Sequence, residues 1–132
     1  MDRLTRAFLA SISDANFARE PIPATSVGAS GVPGSPGVYE GVARVLHGPS
    51  EFGRLEAGDV LVVPLTSPAY NTVLPLLGAV VTDKGGALCH AAIVAREFGI
   101  PAVVGATDAT ARIPDGAKVR VDGSAGTVSV LS

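Results

Sequence analysis

The apolar run from Asp59 to Leu65, entered through Glu56-Ala57-Gly58, constrains this chain more than any other feature. A stretch so short and so rich in valine and leucine reads as a buried strand after a turn. Ala79 to Thr82 and Ala102 to Val104 read the same way, and an alanine-rich helix from about Cys89 to Phe98 lies between them. In that helix Ala91, Val94, Ala95 and Phe98 follow the i, i+3, i+4, i+7 spacing of a face that packs on a sheet. Gly99 ends the helix and Pro101 prevents its continuation. Short buried strands alternating with a helix indicate an α/β fold.

The flanking elements are less regular. Val38 to Leu46 alternates weakly as a strand. Ser67-Pro68 has the order of a helix start, serine as N-cap and proline at the first position, but Pro75 blocks an onward helix and two short turns are expected. Lys118 to Val121 and Thr127 to Leu131 form a closing hairpin around Asp122-Gly123-Ser124-Ala125-Gly126. Upstream, Leu4, Phe8, Ile12 and Phe17 are spaced as a short amphipathic helix. Pro21 to Gly37 is so rich in proline, alanine, serine and glycine that it reads as a linker, with the folded domain beginning near Val32.

At 132 residues, 47% hydrophobic and 17% charged, the chain suits one compact domain that folds alone. A net charge of −2 gives no electrostatic case for nucleic acid or an anionic membrane. There is no signal-peptide core and no apolar run near the length of a membrane span, so a cytoplasmic protein is expected. One cysteine makes neither an internal disulfide nor a multi-thiolate zinc site. With no P-loop and no acidic cluster either, no metal or nucleotide site is expected on this chain.

The chemistry is expected at His90. Gly85-Gly86 lets the backbone come close to a bulky anion, and the helix start just beyond offers unpaired N–H groups and the positive end of a dipole. A neutral imidazole placed there is a competent nucleophile near pH 7. Lys84 is a possible cationic neighbour, whereas Arg96, six residues along the helix, is turned away from His90. Cys89 reads as a small packing residue rather than a thiol nucleophile. His47, before Gly48-Pro49, reads as a solvent-exposed bystander.

The stretch Val80-Val81-Thr82-Asp83, the glycine pair, Cys89-His90-Ala91-Ala92-Ile93-Val94-Ala95-Arg96-Glu97 and Gly99-Ile100-Pro101-Ala102-Val103-Val104-Gly105 resembles the phosphohistidine, or swivelling, domain of the phosphoenolpyruvate-utilising enzymes. Phosphoenolpyruvate synthase, pyruvate phosphate dikinase, enzyme I of the sugar phosphotransferase system and rifampin phosphotransferase belong to that family. Similarity extends through Pro36-Gly37, Gly41-Val42-Ala43-Arg44 and Gly58-Asp59-Val60-Leu61-Val62 upstream, and Asp115-Gly116 and Val121-Asp122-Gly123 downstream, covering roughly residues 30 to 131. The resemblance implies a β/β/α swivelling domain over residues 32–132, preceded by a helical extension and linker over 1–31. It also implies that His90 carries the phosphoryl group; Gly85, Gly86, Cys89 and Lys84 are the residues expected around the phosphate.

Full-length relatives carry an ATP-grasp domain that phosphorylates the histidine, or a barrel domain that exchanges the phosphate with phosphoenolpyruvate, and this chain has room for neither. Mg²⁺ and ATP or phosphoenolpyruvate are therefore expected on a partner domain or subunit, with no cofactor bound here. A separate phosphocarrier subunit and a fragment of a larger enzyme both fit, the initial methionine and the extension favouring a natural chain. In synthase and dikinase members a threonine two residues before the histidine receives a regulatory phosphate; Leu88 stands there in this chain, so that regulation is not expected. The rival expectation is a non-catalytic binding or regulatory module that keeps the swivelling fold.

Overall fold

A computed structural model describes residues 26–131. Eight strands form one sheet: β1 (Ser26–Ser30), β2 (Val32–Ser35), β3 (Val38–Val45), β4 (Val60–Val63), β5 (Ala79–Thr82), β6 (Ala102–Val104), β7 (Lys118–Asp122) and β8 (Thr127–Val130). Their order across the sheet is β1-β8-β7-β3-β4-β5-β6-β2. Strands β3 to β6 run parallel, and the remaining pairings are antiparallel. Strand β3 serves both halves, pairing with β7 from Val38 to Val42 and with β4 from Ala43 to Val45.

The two ends of this order, β1 and β2, are successive pieces of chain separated only by Gly31. The sheet therefore bends back until its halves face each other. At the junction the Gly31 N–H bonds the Gly126 carbonyl at 2.8 Å, and a Cβ on Gly31 would stand 2.4 Å from the Val104 carbonyl oxygen. Only glycine fits there.

Side chains of a strand alternate between faces, so β4 serves two cores. Val60 and Val62 point between the sheet halves, against Val81, Val103, Val119, Val121, Val128 and Ile113. Leu61 and Val63 point the other way, under the helix α1 (His90–Phe98) and the 3-10 turns Pro68–Thr72 and Leu74–Leu76. Every residue of β4, β5 and β6 is buried, as the unbroken apolar runs require. A fully buried valine or leucine contributes about 1.5–3 kcal/mol. The result is an α/β fold layered β/β/α, as the resemblance implied.

Two expectations are corrected. Pro21 to Gly37 is not linker throughout, because residues 26–30 and 32–35 are strands. Small residues are needed there for close approach: a Cβ on Gly34 would lie 3.3 Å from that of Ala92 on α1. The apolar stripe of α1 also shifts, with Ala91, Ala92, Val94 and Ala95 buried while Phe98 is 44% exposed. Ala92 faces β2, a neighbour the helical spacing could not reveal. The amphipathic helix expected near residues 1–20 lies outside the described residues. The two short turns around Pro75 and the closing hairpin are present, although Ser67 caps its turn through its carbonyl, from Tyr70 N–H, and not through its side chain.

Candidate active site

The loop from β5 to α1 is fastened at several points before it delivers His90. The Thr82 hydroxyl donates to the Lys84 carbonyl at 2.6 Å, and the backbone N–H groups of Asp83 and Lys84 donate to the carbonyls of Val63 and Pro64. The Asp83 carboxylate accepts from both the N–H and the hydroxyl of Thr110, in the short helix α2 (Ala109–Arg112), at 2.9 and 2.7 Å. Gly85 then turns the chain at φ +115°, where a side chain is strained, and a Cβ there would stand 2.7 Å from Cys89 Sγ. Arg96 reaches back along the helix and donates to the Ala87 carbonyl, holding the far side of the loop.

His90 is the first residue of α1, half-buried, and both ring nitrogens are engaged. Nδ1 lies 2.7 Å from Thr66 Oγ1, and Nε2 lies 3.0 Å from Asn71 Oδ1. Thr66 is only 8% exposed, whereas Asn71 is on the surface. The ring thus has an inward nitrogen and an outward one. Asn71 is presented by the turn Pro68–Thr72, whose neighbouring Tyr70 is buried and meets the Phe52 ring edge-on at 4.9 Å. Burial also pushes the Tyr70 hydroxyl above its usual pKa, so it stays a neutral anchor.

A recess of about 260 Å³ lies beside the ring, lined by Leu65, Thr66, Thr82, Lys84, Gly85, Cys89, His90 and Ala91. Cys89 makes no side-chain cap, so the first turn of α1 keeps its dipole end unblocked by a side chain. Four of the five residues expected from the sequence, His90, Gly85, Cys89 and Lys84, line this recess, and Gly86 does not. Gly86 instead accepts the Cys89 N–H at 3.0 Å, closing the turn before the helix and removing one amide from any cradle. Cys89 is half-buried with its sulfur over Gly85. His47 lies apart, its side chain 70% exposed beside Glu51. No group of three or more His, Cys, Asp and Glu side chains among the described residues could hold a metal ion, and no helix among them is long and apolar enough to cross a membrane.

Thr66 and Asn71 were missed by sequence reasoning. Both precede β5, and nothing local in Leu65-Thr66-Ser67-Pro68-Ala69-Tyr70-Asn71 marks them as partners of a histidine 24 and 19 residues on.

The family model described as PEP-utilising enzyme, mobile domain, matches residues 55–126. A phosphoenolpyruvate synthase from Aeropyrum pernix is 49% identical over 83% of this chain, and a rifampicin phosphotransferase from Streptomyces sviceus is 45% identical over 77% of it. The matched regions are only 13% and 12% of those proteins. A solution structure of Enzyme I superposes with a TM-score of 0.53 at 34% identity, covering 61% of this chain and 33% of that one.

Proposed function

This chain belongs to the family of PEP-utilising enzyme mobile domains, and on that premise we propose that it is a phosphoryl carrier phosphorylated on His90. The observation that carries the reading is the placement of the ring. Its Nδ1 is held inward at 2.7 Å by a nearly buried hydroxyl, leaving Nε2 outward at the start of a helix. Phosphoryl transfer asks mainly for positioning and for neutralisation of charge, and both are on hand. Thr66 fixes the ring. Lys84 and the N-terminal end of α1 supply positive potential beside it.

In the transfer step the Nε2 lone pair attacks the phosphorus of the donor. The N–P bond forms as the bridging P–O bond breaks, and the leaving oxygen keeps that electron pair. The reacting tautomer is the one whose ring proton sits on Nδ1, where it donates to Thr66 Oγ1 and leaves the Nε2 lone pair free. A hydroxyl both donates and accepts, so Thr66 can follow Nδ1 through either protonation state. Transfer onward reverses these bonds at an acceptor. The donor, ATP or phosphoenolpyruvate with its Mg²⁺, is held by a partner domain or subunit of nucleotide- or phosphoenolpyruvate-binding type, and the acceptor is a small molecule of pyruvate type or another.

Labelled ATP or phosphoenolpyruvate, presented with a cognate donor-binding domain, should place acid-labile, base-stable phosphate on the chain. His90→Ala should fold and accept none. Label that persists in His90→Ala would overturn the assignment, and a wild-type chain that binds the donor domain without taking label would make this a docking module.

A further inference from the structure

We propose that Asn71 is a two-state positioning residue for His90: it holds the outward nitrogen protonated in the resting domain, then turns its amide to donate to the phosphoryl group once that group is attached. The inference rests on the carrier reading and adds the residue that governs which nitrogen is free to react. Asn71 Oδ1 lies 3.0 Å from Nε2. A carbonyl oxygen only accepts, so Nε2 carries a proton in this arrangement, and in the neutral ring Nδ1 accepts from the Thr66 hydroxyl. That tautomer leaves the lone pair on the inward nitrogen, facing a residue only 8% exposed. The outward nitrogen, which a donor can reach, has no lone pair to offer. The resting histidine is thereby protected from adventitious attack.

Reaction requires two linked changes. The proton moves to Nδ1, where Thr66 Oγ1 now accepts it, and Asn71 ceases to accept from Nε2. An amide carries its acceptor and its donor at nearly equivalent positions, so a half-turn about its terminal torsion puts Nδ2 where Oδ1 stood. From there it donates to a phosphoryl oxygen once the N–P bond has formed, leaving the Nε2 lone pair free for the attack. Asn71 is exposed, so its side chain is free of tight packing. Its backbone stays fixed by the buried Tyr70 beside it. Aspartate at position 71 accepts but cannot donate, which makes Asn71→Asp a discriminating variant.

The test uses the full chain carrying His47→Gln, so that His90 is the sole histidine, phosphorylated chemically with phosphoramidate and observed by 15N and 31P NMR. The unphosphorylated ring should carry its proton on Nε2, and the phosphorylated ring should carry the remaining proton on Nδ1 with phosphorus on Nε2. Asn71→Ala should shorten the phosphohistidine lifetime about fivefold, the effect of one net hydrogen bond. Asn71→Asp should shorten it further and slow phosphorylation below the Asn71→Ala rate. Equal lifetimes in all three chains, or a resting proton on Nδ1, would overturn the role of Asn71 while leaving the carrier reading intact. Failure of His90 to take phosphate in the Asn71-containing chain would overturn both.

Discussion

Thr66 and His90, 24 positions apart in sequence, meet at 2.7 Å through Oγ1 and Nδ1. The contact joins the loop after β4 to the first residue of α1. Because β4 and β5 are parallel neighbours, their carboxyl ends lie side by side, and the loops leaving them converge. A site at such a confluence is the usual arrangement of parallel sheets. Thr66→Val keeps the shape and burial of the side chain but removes the hydroxyl. The rate of His90 phosphorylation should fall roughly fivefold or more, the equivalent of about 1 kcal/mol. Thr66→Ser should restore most of it, and thermal melts of both variants check that the fold is unchanged.

Gly85 and Gly86 should respond differently to the same substitution. Alanine at 85 puts a Cβ 2.7 Å from Cys89 Sγ on a backbone at φ +115°, whereas a Cβ at 86 meets nothing within 4 Å. Gly85→Ala should destabilise the domain by about 1–3 kcal/mol, the usual cost of a side chain forced into a disfavoured backbone region. Gly86→Ala should stay within about 0.5 kcal/mol of the parent. Denaturant midpoints distinguish the two, and equal losses would show that the loop shape depends on something other than the Gly85 turn.

Truncation should expose the error in the linker reading. A chain starting at Val32 lacks β1, which pairs with β8 from Ser26↔Val130 to Ser30↔Thr127. Its loss removes the buried Ala29 from the inner core and leaves β8 as a bare edge. Such a chain should melt well below the full chain, and one that keeps the full melting temperature would mean β1 adds nothing to stability.

Acid should weaken the domain partly through Asp115. The Val45 N–H donates to its carboxylate at 2.8 Å, and the nearby Arg54 and Arg44 charges add to this, holding its pKa below the ordinary 3.8 against the opposing effect of burial. A pKa lower in the folded than in the unfolded state means stability that is present above 3.8 and disappears as pH falls through the folded value. Asp115→Asn forgoes that contribution at neutral pH. The gap in melting temperature between wild type and Asp115→Asn should therefore be widest near neutrality and narrow below pH 3.8. A gap that widens on acidification would rule out this assignment.

What the sequence determined by itself was everything that depends on short spans of chain. The buried runs Val60–Val63, Ala79–Thr82 and Ala102–Val104 are strands because no other structure hides so many consecutive apolar side chains in so few residues. The helix at His90 ends at Gly99, whose φ of +71° is the left-handed cap its glycine signalled. The loop around Gly85, Cys89 and His90 was legible for the same reason, since its residues are neighbours along the chain. Tertiary structure alone decided the rest. Residues 26–35 look like a linker in composition, yet they form both edges of a sheet that folds back on itself, and their small side chains serve close approach at Gly31 and Gly34. Thr66 and Asn71 acquire their importance only when parallel pairing of β4 and β5 brings two loops together. Hydrogen bonds between segments depend on distances in space, which neither periodicity nor composition encodes, so the partners of His90 could be found only in the folded chain.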